Sequence, residues 1–234
     1  MMKALFFDLD DTLYDQLQPF QVAYDRTFSA MKDIPILELF KKSREYSDRV
    51  FTLTESGKMP LEKMHQNRLI YAFQDMDYKI TAEEADAFQR VYKEHQYKVT
   101  LVPEMKRILQ YLSTKGIPVY VITNGPSSHQ WLKLESLDLF HLIPKSNIYI
   151  SSEIGYAKPQ KEFFEYVNKQ TNTTGAISYM VGDSFENDMI GANNAGWNSI
   201  WLNTKNKPKS IETIHPLYEA NSYQQLEELI KLLF

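Results

Sequence analysis

The sequence predicts an α/β fold, a doubly wound parallel sheet interrupted near its start by an all-helical insertion. Three observations carry this prediction. Short apolar runs at Lys3–Phe7, Ile117–Ile122 and Ile177–Val181 each end in polar, turn-forming residues, the pattern of strands buried on both faces. From residue 100 onward such runs alternate with helical patterns, which implies right-handed crossovers between parallel strands. Residues 17–99 differ: they are rich in charged, Gln and aromatic residues, hold Gly57 as their only glycine and offer no strand.

The first strand, Lys3–Phe7, leads into Asp8. The insertion reads as four helices, Phe20–Met31, Ile36–Val50, Leu61–Gln74 and Ala82–Tyr97. A helix over Pro103–Lys115 follows, with Met105, Ile108, Leu109 and Leu112 at helical spacing and Gly116 closing it. The strand Ile117–Ile122 runs into Thr123-Asn124-Gly125, and Pro126-Ser127-Ser128 opens a helix through Leu137. A weaker strand lies at Asn147–Ser151, and Pro159 is placed in the first turn of a helix through Lys169. Ile177–Val181 leads into Gly182-Asp183. A helix over Phe185–Asn194 stops near Gly196, and Ser199–Leu202 is a last strand. Lys205–Lys209 reads as a solvated surface loop. The resulting boundaries are 1–16 with 100–234 for the α/β domain and 17–99 for the helical one.

Composition narrows the function classes. At 234 residues the chain suits one large or two unequal domains. Its lack of cysteine excludes a disulfide framework, thiolate metal sites and a cysteine nucleophile. A net charge of −4 argues against a broad nucleic-acid or anionic-membrane footprint. The opening apolar stretch Ala4–Phe7 is shorter than the roughly 7–15 residues of a signal-peptide core, and no window approaches the ~20 apolar residues of a membrane helix. A cytoplasmic protein that binds neither nucleic acid nor membrane is the expectation, with a monomer as its state. His65, His95, His129, His141 and His215 show no metal-ligand spacing. A P-loop is absent, since Gly57-Lys58 is followed by Met59.

The chemistry-bearing residues fall at the predicted strand ends, where ligands bind in open α/β sheets. Asp8 and Asp10 lie two apart on an extended segment, so they share a face. Paired carboxylates bind a hard cation such as Mg²⁺, and they also hold different protonation states. Thr123-Asn124-Gly125 at a helix start offers a hydroxyl and backbone N–H groups to an anion. Lys158 precedes another helix, while Asp183 follows a buried strand, with Asn187 and Asp188 just beyond. Each feature alone also fits a turn, a helix cap or a solvated side chain. Together, in this order, they supply a nucleophile, an acid/base, a cation site and partners for phosphate oxygens.

FFDLDDTL, VITNG, GYAKPQKEFF and VGDSFENDMIGANNAGW resemble the four motifs of the haloacid dehalogenase superfamily, specifically its phosphatases. The resemblance covers residues 3–14 and about 100–203; the insertion matches the family's helical cap in position and helical character only. The third and fourth motifs, followed by Trp201-Leu202-Asn203, are most similar to the pyrimidine nucleotidase branch. A Rossmann-like core with a helical cap is implied. So is Mg²⁺-dependent hydrolysis of a small phosphorylated metabolite, such as a nucleoside monophosphate, through an aspartyl-phosphate. A sugar-phosphate or phosphoglycolate-type phosphatase is the alternative.

The resemblance makes Asp8 the nucleophile and Asp10 the acid/base. Mg²⁺ would be held by Asp8, Asp183 and the Asp10 backbone carbonyl, with Asn187 and Asp188 beyond its direct ligands. Thr123, the Asn124 N–H and Lys158 would stabilise phosphate oxygens. A dehalogenase needs neither a cation nor Asp10. A signalling receiver domain places its acceptor Asp after the central strand, where this chain has Thr123-Asn124. A silent binding protein on the same fold is disfavoured by the intact set. Phe20 and Phe51 are candidate cap aromatics for stacking on a base, the alternative being that both pack between cap helices.

Overall fold

The computed structural model describes residues 3–50, 53–54 and 57–234. It contains a six-stranded parallel sheet in the order β3-β2-β1-β4-β5-β6. Its strands are β1 (Ala4–Phe7), β2 (Val119–Thr123), β3 (Ile148–Ile150), β4 (Ser178–Gly182), β5 (Asn198–Leu202) and β6 (Tyr218–Ala220). The chain steps outward from β1 through β2 to β3, then returns to the other side of β1 with β4. That reversal makes the end of β1 the sheet's switch point. Leu5, Phe6 and Phe7 are all fully buried; because successive side chains point to opposite faces, both faces of β1 are covered.

Two compact units divide the chain, Met1–Asp15 with Thr100–Phe234, and Gln16–Val99. The second is helical, with α1 (Leu17–Thr27), α2 (Ile36–Arg49), α3 (Leu61–Gln74) and α4 (Ala82–His95). The last begins at a capping box, in which Thr81 and Glu84 satisfy each other's backbone N–H groups. Helix α1 packs on α4, and α2 on α3. Phe20, a candidate for base stacking, instead follows the packing alternative: it is buried among Phe40, Phe88 and Tyr92, its ring edge-on to all three. Its area is worth more inside the helical core than at a surface. Phe51 lies outside the described residues.

The first unit adds α5 (Pro103–Thr114), α6 (Ser127–Ser136), α7 (Ser151–Ile154), α8 (Lys161–Thr171), α9 (Gly191–Asn194) and α10 (Tyr223–Leu233). One face of its sheet buries Phe6, Ile122 and Met180 against Phe163, Phe164 and Val167 of α8. Helices α5 and α10 pack on each other, with Arg107 paired to Glu227. No helix among the described residues is long and apolar enough to cross a membrane.

Two expectations are corrected locally. Pro159 precedes α8 rather than opening it, because residues 157–160 close a turn through a Gln160 N–H bond to the Ala157 carbonyl (2.8 Å). The expected helix over Phe185–Asn194 is a π-helix at Phe185–Ile190 followed by α9. There the N–H groups of both Asp188 and Met189 turn to the Ser184 carbonyl (2.9 and 3.3 Å). Such widened turns recur at functional sites.

Candidate active site

Parallel pairing sets the site. Phe7 lies opposite Val121 on β2 and Val181 on β4, so the residues just beyond these strands converge. Asp8 extends β1 by one backbone bond, its N–H donating to the Val181 carbonyl (2.9 Å). Carboxylate oxygens of Asp8, Asp183 and Asp188 lie within 4.8 Å of one another. Asp188, expected beyond the direct ligands of a metal, therefore stands level with the other two.

Gly182 makes that approach possible. A Cβ there would sit 2.2 Å from Asp188 Oδ2, so only glycine admits the carboxylate. Asp188 Oδ2 accepts the Ser184 N–H (3.0 Å), and Ser184 Oγ in turn accepts the Asn187 N–H (3.2 Å). Asn187 thus joins the loop through its backbone.

Lys158 ties the group together. Its buried Nζ donates to Asp8 Oδ1 (2.6 Å), Asp188 Oδ1 (2.7 Å) and the Ile122 carbonyl (3.0 Å), which uses all three ammonium hydrogens. Burial works against this charge, but Asp188 and Asp8 outweigh it and hold the ammonium well above its ordinary pKa. Asn124 fixes the lysine's main chain from both sides: Nδ2 donates to the Lys158 carbonyl (2.8 Å) and Oδ1 accepts its N–H (2.9 Å). The Asn124 side chain is therefore a strut between two strand-end loops.

Burial, with repulsion from Asp188, Asp183 and Asp10, pushes Asp8 well above the usual carboxylate range despite Lys158. Burial likewise pushes Asp183 up to about 6, with Asp11 and Asp188 adding to the rise and Lys207 opposing it. Asp8 and Asp188 are buried and Asp183 half-buried, and carboxylates this close repel one another, which favours a cation among them. Hard oxygen donors at this spacing suit Mg²⁺. Among the described residues this metal-capable group is made of carboxylates alone.

Asp10 stands outside that group of three. Its carboxylate accepts from Lys133 Nζ (2.7 and 2.9 Å), from Gln130 Nε2 (3.2 Å) and from the Tyr14 hydroxyl. Burial alone would raise its pKa, but Lys133, Tyr14 and Gln130 outweigh this and hold it below the ordinary value. Gln130 also donates to Thr123 Oγ1 (2.6 Å) and the Asn124 carbonyl (2.8 Å). Gln130 and Lys133 were not among the residues singled out from sequence. Their spacing of three puts them on one helix face, but nothing in the local sequence marks Asp10 as their partner.

The 205–209 segment is not merely solvated. Asn203 binds both the N–H and the carbonyl of Lys207 (2.7 and 3.1 Å). The shaped loop sends Lys207 Nζ to Asp183 Oδ2 (2.7 Å) and Lys205 Nζ to Asp11 Oδ2 (2.5 Å). The reason is electrostatic: clustered carboxylates at a strand end attract whatever ammonium groups the next loop can reach.

The haloacid dehalogenase-like hydrolase family matches residues 2–196. The chain belongs to this family. Relatives of this haloacid dehalogenase-like hydrolase include a glyceraldehyde 3-phosphate phosphatase of Methanothermobacter thermautotrophicus, 30% identical over 88% of this chain and 87% of that protein. Pyrimidine 5'-nucleotidase YjjG of Escherichia coli is 27% identical, covering 97% of this chain and 96% of its own. Among solved structures, magnesium-bound HAD-hydrolase YfnB of Bacillus subtilis shares the fold, with a TM-score of 0.69 and 24% identity over 98% of both chains.

Proposed function

We propose that this hydrolase cleaves phosphomonoesters with Mg²⁺ through an aspartyl-phosphate on Asp8. The observation that carries the reading is the group of Asp8, Asp183 and Asp188, gathered within 4.8 Å, with Lys158 bridging Asp8 and Asp188. Asp8, Asp183 and Asp188 would hold Mg²⁺, with the Asp10 carbonyl as a further ligand. When bound, the cation offsets repulsion between the attacking carboxylate and the anionic phosphoryl group.

In the first step an Asp8 carboxylate oxygen attacks phosphorus and the ester P–O bond breaks. Lys133, Tyr14 and Gln130 favour ionised Asp10 in the free site, so the proton is one that Asp10 takes up as the anionic ester binds beside it. Asp10 gives that proton to the leaving oxygen, which departs as an alcohol. In the second step water attacks the same phosphorus and loses a proton to Asp10. The Asp8–phosphorus bond breaks, releasing inorganic phosphate and restoring both carboxyl groups. Thr123 Oγ1 accepts from Gln130 (2.6 Å), and its hydroxyl donates only a long bond to the Asn124 carbonyl (3.5 Å), which a phosphate oxygen would replace. The Asn124 N–H and Lys158 would share that charge, where most phosphoryl-transfer catalysis lies.

The substrate is a small phosphorylated metabolite, and a nucleoside monophosphate is the reading drawn from the motifs. YjjG supports it. The 30% identical glyceraldehyde 3-phosphate phosphatase favours a short sugar phosphate as the second reading. A panel of nucleoside monophosphates, sugar phosphates and small acid phosphates, assayed with Mg²⁺ and with EDTA, tests both. Mg²⁺-dependent phosphate release is expected, with kcat/KM ranking the classes. Undiminished turnover in EDTA, or none on any ester, would overturn the proposal.

A further inference from the structure

We propose that Lys133, seconded by Gln130, is a positioning residue that aims the Asp10 carboxyl at the leaving group. This rests on the reading of Asp10 as acid/base. The two donors share one face of α6, three residues apart. Lys133 Nζ spans both Asp10 oxygens at 2.7 and 2.9 Å, and the pair is largely withdrawn from solvent, at 16% and 23% side-chain exposure. Gln130 is buried, and its Nε2 faces three acceptors, Thr123 Oγ1, the Asn124 carbonyl and Asp10 Oδ2 at 2.6, 2.8 and 3.2 Å.

An amide nitrogen has two hydrogens, so the two shorter bonds claim them and the Asp10 contact is the weakest. Gln130 therefore fixes the Thr123-Asn124 turn and adds a minor hold on Asp10. The main restraint on the carboxylate plane comes from Lys133, with the Tyr14 hydroxyl on Oδ1. Asp10 stands immediately before Asp11, whose φ of 58° reverses the chain. Without Lys133 only the Tyr14 hydroxyl and the weak Gln130 contact restrain the Asp10 carboxylate. Helix α6 begins four residues after Thr123, so the same short element steadies the phosphate-binding turn and the acid.

Leaving-group dependence separates positioning of the acid from general support of the fold. An ester whose leaving oxygen is a poor base needs no proton from Asp10; a strongly basic alkoxide needs it fully. Phosphate release is measured with wild type, Lys133→Met, Lys133→Arg and Asp10→Asn on 4-nitrophenyl, phenyl and glycerol phosphates, and log kcat/KM is plotted against leaving-group pKa. Circular dichroism and Tm verify the fold; Lys133→Gln takes the place of Lys133→Met if the latter does not fold.

Lys133→Met should stay within about threefold of wild type on 4-nitrophenyl phosphate. It should fall by about tenfold to a hundredfold on glycerol phosphate, part of the 10²–10⁴ that acid–base catalysis typically supplies. Lys133→Arg should recover most of that loss. Equal losses on every ester, or none, with Asp10→Asn still selective, would overturn the positioning role and leave the acid/base reading standing. An Asp10→Asn variant whose losses ignore the leaving group would overturn the acid/base reading and this proposal together.

Discussion

Asp183 is the carboxylate whose charge tracks pH most directly, with a pKa pushed by burial from 3.8 up to about 6. Between those values the folded chain keeps a proton that the unfolded chain has released. This group's contribution to stability is therefore greatest below the unfolded value and is lost as pH rises through about 6. Cation binding runs the other way, because it needs the ionised carboxylate. Mg²⁺ affinity, followed by calorimetric titration, should rise by up to about tenfold per pH unit between pH 5 and 6. A flat or falling profile would sink the ligand assignment. Asp8→Asn preserves shape and removes the attacking oxygen's charge. Turnover of an aryl phosphate should drop by several orders of magnitude, with the circular dichroism spectrum unchanged. Activity within about tenfold of wild type would end the covalent mechanism.

At the scale of elements, the end of β4 decides whether the acids can meet. Gly182→Ala would drive a Cβ into Asp188, pushing its carboxylate away from Lys158 and the other two acids. Mg²⁺ affinity should weaken more than tenfold, and urea denaturation should show a loss of about 1–3 kcal/mol, typical of overpacking. Retained affinity would mean that Asp188 has slack the geometry does not suggest. The five strands read from sequence were legible because each is a nearly unbroken apolar run. The sixth, Tyr218–Ala220, is a three-residue edge with two exposed side chains, so neither length nor alternation marks it. Helix α10 did carry a signal, a Ser222 cap with Leu226 and Ile230 four apart, but no neighbouring strand drew attention to it. The motif acids, Thr123 and Lys158 were legible because they end predicted strands or open helices. Lys133, Gln130 and Lys207 were not, since a lone Lys or Gln on a helix or loop has no local mark of its distant partner.

Across the whole chain, the helical unit is held by aromatic packing and the sheet unit by its layered apolar faces. Phe20→Ala should cost about 3–5 kcal/mol, as large-to-small changes at buried aromatic sites do. Hydrogen exchange should show protection falling first within Gln16–Val99. Loss confined to nucleotide substrates, with stability intact, would instead restore Phe20 as a binding residue. The placement of β1 has a temporal consequence. It leaves the ribosome well before its partners, since Leu5 pairs with Val119 on one side and Tyr179 on the other. Gln16–Val99, a compact unit made of one continuous stretch, can fold while β1 is still waiting, as units do during synthesis. A nascent chain stalled before residue 178 should carry a protease-resistant helical unit behind a leading segment still open on one side. Asp8, made long before Asp183 and Asp188, then meets them only when the fourth strand emerges.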